Sequence, residues 1–552
     1  MMLTALFCAV GTKAQGVKLE VNQDTLMKHV IELSSERYHG RLAGTDGYTA
    51  AERYVIKVLK SYGLEPAGDG GSWFQEGFTV ECNEVENCTF RVYQPGSKER
   101  KTYSLGKDYS CAGMTGRGYV DAEVVFVGYG LDCAALDEYS NVDAQGKIVM
   151  CVSGVPNWLP SSVTDAYATA RDKARVAKRH GAVGLVMVNM SKTAADWEVQ
   201  NRVYSGELPH LATFPMVQPC RYFADELLRG ESLTLDEAMA RLQEDHQTHS
   251  FALKKRFEIE VNATYRPKVG CRNIVARLKG TSKQVRREEI MIGASLDGDG
   301  QQGDTYMYPG ADDNASAVAA VLETMRVLSQ LDIRERPKRS VLVVFFGGKE
   351  LGYLGSQYFV RHYKKQERIE AMLALECVGS GDSLDVRGNL KSPRLWDIAI
   401  SQDSLWTKSV GRSKKTIKVY ATEQELFERE KAKKQAEKEA AKDPKKLKAL
   451  KKQKPTGNEK FSEQVVEGFQ TEPSGDAKAM ALLGVPSLTI TTFGGQQHSH
   501  VPSDTPENIN REMLHKAATL TAHTVLELAK GMYRGRTYES KLQEYGPWTY
   551  EE

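Results

Sequence analysis

From Asn273 onward, five apolar runs alternate with helical segments, and this alternation limits the fold more than any other feature. NIVARLKG, EIMIGASLD, SVLVVFFGG, MLALECVG and PSLTITTFG read as short buried strands bounded by Gly or charged residues. The intervening stretches carry three- and four-residue apolar spacing, with helices predicted to begin near Asn314, Tyr353, Arg394 and Ala477. Apolar strands separated by helices bury both faces as a largely parallel sheet covered on both sides. The predicted class is therefore α/β, a doubly wound mixed sheet. In such sheets the reactive side chains belong at the carboxyl ends of the strands.

At 552 residues the chain needs more than one core. Thr25 to Gly63 reads as two helices around the turn RLAGTDG, and strand texture begins near Ser72. Residues 83–261 form a strand-rich module in which AEVVFVGYG and GKIVMCVSG are buried strands. ARDKARVAKRHGAVGLVMVN reads as a helix, a Gly stop and a strand, its basic stripe a solvated face. The predicted organisation is a discontinuous domain over 16–82 and 262–538 with the 83–261 module inserted, and a tail at 539–552. Within it, 422–460 is a charged helical insertion broken at Asp443-Pro444.

Lys plus Arg number 74 and Asp plus Glu 72, so the basic footprint of a nucleic-acid binder is missing. No internal apolar run reaches the length of a membrane span. Residues 1–15, opening MMLTALFCAV, resemble the apolar core and cleavage zone of a signal peptide, which predicts a secreted or periplasmic protein. Ala5-Leu6-Phe7 is a poor lead for a lipoprotein cysteine at Cys8. Nine cysteines contain no Cys-x-x-Cys pair, against a thiolate zinc site. Cys82 and Cys88 are candidates for a disulfide in an oxidising compartment, or else for free buried thiols.

Five polar pieces fall at or just beyond strand ends: Ser295-Leu296-Asp297, Gly310-Ala311-Asp312-Asp313-Asn314, Gly348-Lys349-Glu350-Leu351-Gly352, Leu375-Glu376-Cys377 and His500-Val501-Pro502-Ser503-Asp504-Thr505. Carboxylates and a late His converging from several strands suit a borderline cation such as zinc. Together with GRLAGT, GYGLDCAALDEYSNVDAQGKIVM, PGADDNASAVAAVLE, KELGYLGSQYF and HVPSDTPENI, they resemble the zinc-dependent aminopeptidase family that includes glutamate carboxypeptidase, glutaminyl cyclase and the transferrin receptor. The resemblance runs from about Val17 to Arg534, and the inserted module resembles that family's protease-associated domain.

The resemblance implies two zinc ions bridged by Asp313, one completed by Glu350 and His500, the other by Ser295 and Glu376. It places Asp297 behind a metal-bound His and residue 349 as the general base. Its substrates would be peptides or protein N-termini. Two departures stand out. A serine hydroxyl at 295 is a poor zinc ligand where the family has His. Lys349 is cationic where the family has a Glu base. Asp313, Glu350 and Glu376 less the Lys349 charge leave two negative charges, which one divalent ion neutralises. The expectation is thus an aminopeptidase-like protein with one zinc or none, the second site doubtful, and ordinary peptide hydrolysis impaired or absent. A non-catalytic binding protein (a pseudopeptidase) and a one-zinc acyltransferase resembling glutaminyl cyclase are the alternatives. Ser295 as a nucleophile with His500 and Asp297, and His498 as a substitute ligand, are minor readings; Asp299 reads as a loop residue.

Overall fold

A computed structural model describes residues 19–93, 96, 99–111, 115–190, 210–304, 306–409, 471–494 and 498–535. The predicted signal segment, the charged 422–460 helix and the 539–552 tail lie outside the described residues.

Helix α1 (Gln23–Leu33) begins where the Asn22 side chain accepts the Thr25 N–H at 2.9 Å, and α2 (Asp46–Ser61) is capped in the same way by Thr45. The 20-residue strand β1 (Phe74–Tyr93) leads into the inserted module. There β2 (Gly118–Phe126), β3 (Ile148–Val152), β4 (Gly184–Val188) and β5 (Met216–Pro219) pair in that order, with helix α3 (Ala170–Arg179) ahead of β4. The chain returns along β6 (Phe251–Leu278). It then alternates through β7 (Glu289–Ser295), α4 (Ala317–Gln330), β8 (Ser340–Phe346), α5 (Leu354–His362), β9 (Ile369–Leu375), β10 (Ser383–Arg387), α6 (Pro393–Ser409), α7 (Gly475–Leu482), β11 (Ser487–Phe493) and α8 (Arg511–Ala529).

The strand order is β10-β11-β9-β7-β8-β6, continuing through β6 into β2-β3-β4-β5. β7 runs parallel to β8 and β9, and β9 to β11; β6 against β8 and β10 against β11 are antiparallel. The sheet is the mixed α/β sheet expected. Side chains alternate faces along each strand. On β8, Val341, Val343 and Phe345 join the core under α4 and α8, whereas Leu342, Val344 and Phe346 pack with Phe359 of α5 and Met480 of α7 on the other side. With both faces covered, β8 is apolar throughout rather than alternating. All five strand expectations hold, and the four helices start within a few residues of their predicted positions.

The expected boundaries near 82 and 261 fall inside β1 and β6, which pair antiparallel from Phe74–Ile274 to Tyr93–Arg256. β6 meets β2 over Phe251–Val261 and β8 over Ile274–Leu278, so one strand joins both modules in a single sheet.

One open alternative is decided and one expectation is corrected. Cys82 and Cys88 are both free and buried. They stand six residues apart on β1, about 20 Å along an extended strand, beyond the roughly 7 Å limit between bridged Cα atoms. The basic stripe on α3 is solvated only in part: Lys178 and Arg179 are exposed, but Lys173 is fully buried, its ammonium donating to the carbonyls of Tyr129 at 2.5 Å and Gly154 at 2.8 Å, and Arg171 is also buried.

Candidate metal site

The carboxyl ends of β7, β8, β9 and β11 and the turn before α4 converge, as the parallel connections require. β7 ends at Ser295 and continues into Asp297 and Asp299. Asp312 and Asp313 lie in the turn Ala311–Ser316 that opens α4. Their main-chain N–H groups donate to the two oxygens of Asp504, at 2.7 and 2.9 Å, so the loop after β11 pins that turn. The Asp313–Asn314 peptide is cis. Asn314 ties β7 to β9, donating to the Ser295 carbonyl at 3.1 Å and accepting from the Cys377 N–H at 3.0 Å.

Asp297 braces the loop after β8, accepting from the main chain of Lys349 at 3.1 Å and Glu350 at 3.2 Å. With serine at 295 it has no imidazole there to orient. Arg41, buried between α1 and α2, donates to the carbonyls of Leu33, Leu296, Pro309 and Gly310 at 2.6 to 3.1 Å. It thereby clamps the GRLAGT turn to the loops bearing Asp297 and Asp313.

The Lys349 ammonium points into the centre. It is bonded to Asp313 Oδ1, lies 3.0 Å from Glu350 Oε1 and 4.0 Å from Glu376 Oε1. Glu376 Oε1 also accepts from the Tyr353 hydroxyl at 2.8 Å. The other oxygens face His500: Asp313 Oδ2 is 3.5 Å from its Nε2, and Glu350 Oε2 is 3.5 Å from its Nδ1. Nδ1 also bonds Asp299 Oδ2 at 2.8 Å. Asp313 therefore bridges two positive partners.

Burial pulls the Lys349 ammonium down, but Asp313 and then Glu350 outweigh it and hold the group well above its ordinary value. Burial likewise opposes the charge on Asp313, yet Lys349 and His500 bring it down to about 2. Burial raises Glu350 to about 7 and Asp297 to about 6. Desolvation lowers His500, but Asp299, Glu350 and Asp313 carry it up to about 10 in the absence of a metal ion.

The fit to zinc differs between the two expected positions. Tetrahedral ligands about 2.05 Å from a zinc stand roughly 3.3 Å apart. Asp313 Oδ2 and His500 Nε2 have nearly that separation, but Glu350 Oε2 lies against Nδ1, the other ring nitrogen, so Asp313, Glu350 and His500 do not converge on one point. Asp299, Glu350 and His500 lie close enough together to share an ion. At the second position, Ser295 donates to Asp476 Oδ2 at 2.6 Å, and the ammonium already occupies Asp313 Oδ1 beside Glu376. The residues of the second position are thus engaged with one another.

Ser295, His500 and Asp297 do not form the arrangement of a nucleophile, its base and an orienting acid, because each has another partner. His498 bonds Ser503 Oγ at 2.9 Å rather than joining the metal set. Asp299 is more than a loop residue, since it holds His500. The sequence reading also missed Asp476, 181 residues from Ser295. Asp504 lay within a quoted motif, but its role was legible only from the fold.

Strand-end carboxylates and an imidazole gather on a mixed α/β sheet, with a second module carried on one hairpin. Residues 273–412 match the sequence model of Peptidase family M28, and residues 120–217 match that of the PA domain. The chain thus carries a stretch similar to Peptidase family M28 and, ahead of it, one similar to the PA domain. Two solved structures share the fold. The aminopeptidase from Aneurinibacillus sp. strain AM-1 is 20% identical, covering 92% of this chain and 94% of that one, with a TM-score of 0.54. The zinc aminopeptidase of Bacillus subtilis is 17% identical, covering 93% and 96%, with a TM-score of 0.57. Leucine aminopeptidase 1 of Paracoccidioides brasiliensis is 31% identical over 110 residues, 19% of this chain and 27% of its own length. A probable zinc metalloprotease of Pyrenophora tritici-repentis is 33% identical over 120 residues, 21% and 26% respectively. The matched stretch thus spans only about a quarter of these curated relatives. Among the described residues, no helix is long and apolar enough to cross a membrane.

Proposed function

We propose that this is an exported, aminopeptidase-like protein that engages peptides or protein N-termini, takes one zinc at most, and has impaired or absent ordinary peptide hydrolysis. The carrying observation is the Lys349 ammonium on Asp313 Oδ1, with Glu350 at 3.0 Å. A general base needs a free lone pair near neutral pH. An ammonium stabilised by buried carboxylates offers none, and it stands where a second cation would share Asp313.

Glu350 and His500 would hold the zinc with Asp299, or with Asp313 on the other nitrogen of the ring, beside them. When bound, that zinc supplies a Lewis acid able to polarise a carbonyl oxygen. The chain's own residues contribute a pinned loop, a braced imidazole and a fixed positive charge, which suits binding better than water activation.

The test is hydrolysis of aminoacyl p-nitroanilides by purified protein, with and without added zinc. Background turnover is expected from the wild type. Turnover should rise above background when Lys349→Glu is combined with Ser295→His, which restores the base and the missing ligand together. Chelator-sensitive turnover by the wild type would overturn the reading.

A further inference from the structure

We propose that the groove between α1 and α2 is a binding site for a small soluble molecule carrying a phosphate on a flat ring. The groove encloses about 600 Å³ and lies on the outer face of the helix pair. Lys28 projects from α1, Arg37 from the turn, and Arg53 and Lys57 from successive turns of α2; all four are exposed. Glu32 is the one carboxylate in the lining, and it is engaged by the Tyr38 hydroxyl at 2.7 Å and by Arg37 at 3.4 Å. Lys28, Arg53 and Lys57 have no ion-pair partner among the described residues. Holding like charges around one concavity is unfavourable unless an anion enters.

The floor adds a directed donor. Tyr38, Tyr54 and Tyr62 line it, with the His29 ring buried between two of them: Nδ1 lies 2.7 Å from the Tyr54 hydroxyl and Nε2 3.3 Å from that of Tyr62. Burial, reinforced by Lys28 and Arg326, holds His29 at about 4, so the ring is neutral at physiological pH. A neutral imidazole has one N–H and one lone pair. One tyrosine must therefore donate to it and the other accept from it. The accepting tyrosine keeps its own hydroxyl hydrogen, which no other protein acceptor takes among the described residues. That hydrogen and the surrounding cations suit phosphate oxygens, and the aromatic floor suits a ring.

The experiment titrates phenyl phosphate into the full-length protein by calorimetry at low salt. Inorganic phosphate and phosphatidic acid–phosphatidylcholine vesicles form separate arms. One-to-one binding of phenyl phosphate is expected, tighter than inorganic phosphate and weakening as salt rises. Reversing Arg53→Glu with Lys57→Glu should weaken it roughly tenfold or more, since each removes a charge-assisted contact. Both residues are exposed, and an unchanged thermal unfolding curve would confirm that the fold is intact. Tyr54→Phe and Tyr62→Phe should each weaken binding several-fold. The proposal is overturned if phenyl phosphate gives no saturable heat at millimolar concentration, if the double reversal leaves binding unchanged, or if only the vesicles bind. The groove is separate from the strand-end cluster, so none of these outcomes bears on the peptidase reading.

Discussion

Replacing Lys349 by Met removes the ammonium while keeping most of the side-chain volume. Asp313, Glu350 and Glu376 then face one another with no cation between them, at a position 7% exposed. Removing one partner of a buried ion pair costs about 3–5 kcal/mol. Lys349 serves at least two carboxylates, so the upper half of that range is expected in metal-free buffer. The gap left is a cation position on the free side of Asp313, and zinc should refill it. A hundredfold excess of zinc over its dissociation constant returns about 2.7 kcal/mol. Urea denaturation with and without zinc, read by intrinsic fluorescence, measures both effects. A loss below 1 kcal/mol, or a loss that zinc does not lessen, would refute the view that the ammonium replaces a second metal ion.

Three further outcomes follow from the same contacts. Ser295→Ala strips the donor from Asp476 Oδ2, a carboxyl that burial already raises to about 7, and should lower unfolding free energy by about 1–3 kcal/mol in denaturant melts. Arg41→Met takes a donor from four buried carbonyls, of which Gly310 keeps the Ala315 N–H, and should cost more than about 3 kcal/mol, with increased hydrogen exchange in the loops around Leu296 and Gly310. His29 falls from 6.5 to about 4 on folding, so the unfolded chain binds the extra proton between those values and stability declines as pH falls. The loss is fully absent above about 6.5, reaches about 3 kcal/mol near pH 4, and is measured as the difference in pH dependence between wild type and His29→Phe.

Much of this molecule was legible in the sequence because its signals are local. Apolar runs such as SVLVVFFGG specify strands buried on both faces, and the residues that follow them specify where chemistry can occur. Lys349 could be read as an ammonium in the place of a base from the resemblance of its motif to the family's. Its bond to Asp313 could not, because nothing local says whether a long side chain turns inward. Asp299, Asp476 and Arg41 were missed for a related reason. Asp299 lies in a loop, Arg41 in a turn and Asp476 in the first turn of α7, and each meets a partner that only the folded sheet brings near. Lys173 shows the converse error: a helical stripe of basic residues looks solvated, yet this ammonium finds two carbonyls inside the PA module.

Metal content tests the central claim most directly. Protein equilibrated with excess zinc, desalted and analysed by inductively coupled plasma mass spectrometry should retain one zinc per chain or fewer, and Lys349→Glu with Ser295→His should retain two. Two tightly held zinc ions in the wild type would contradict the account.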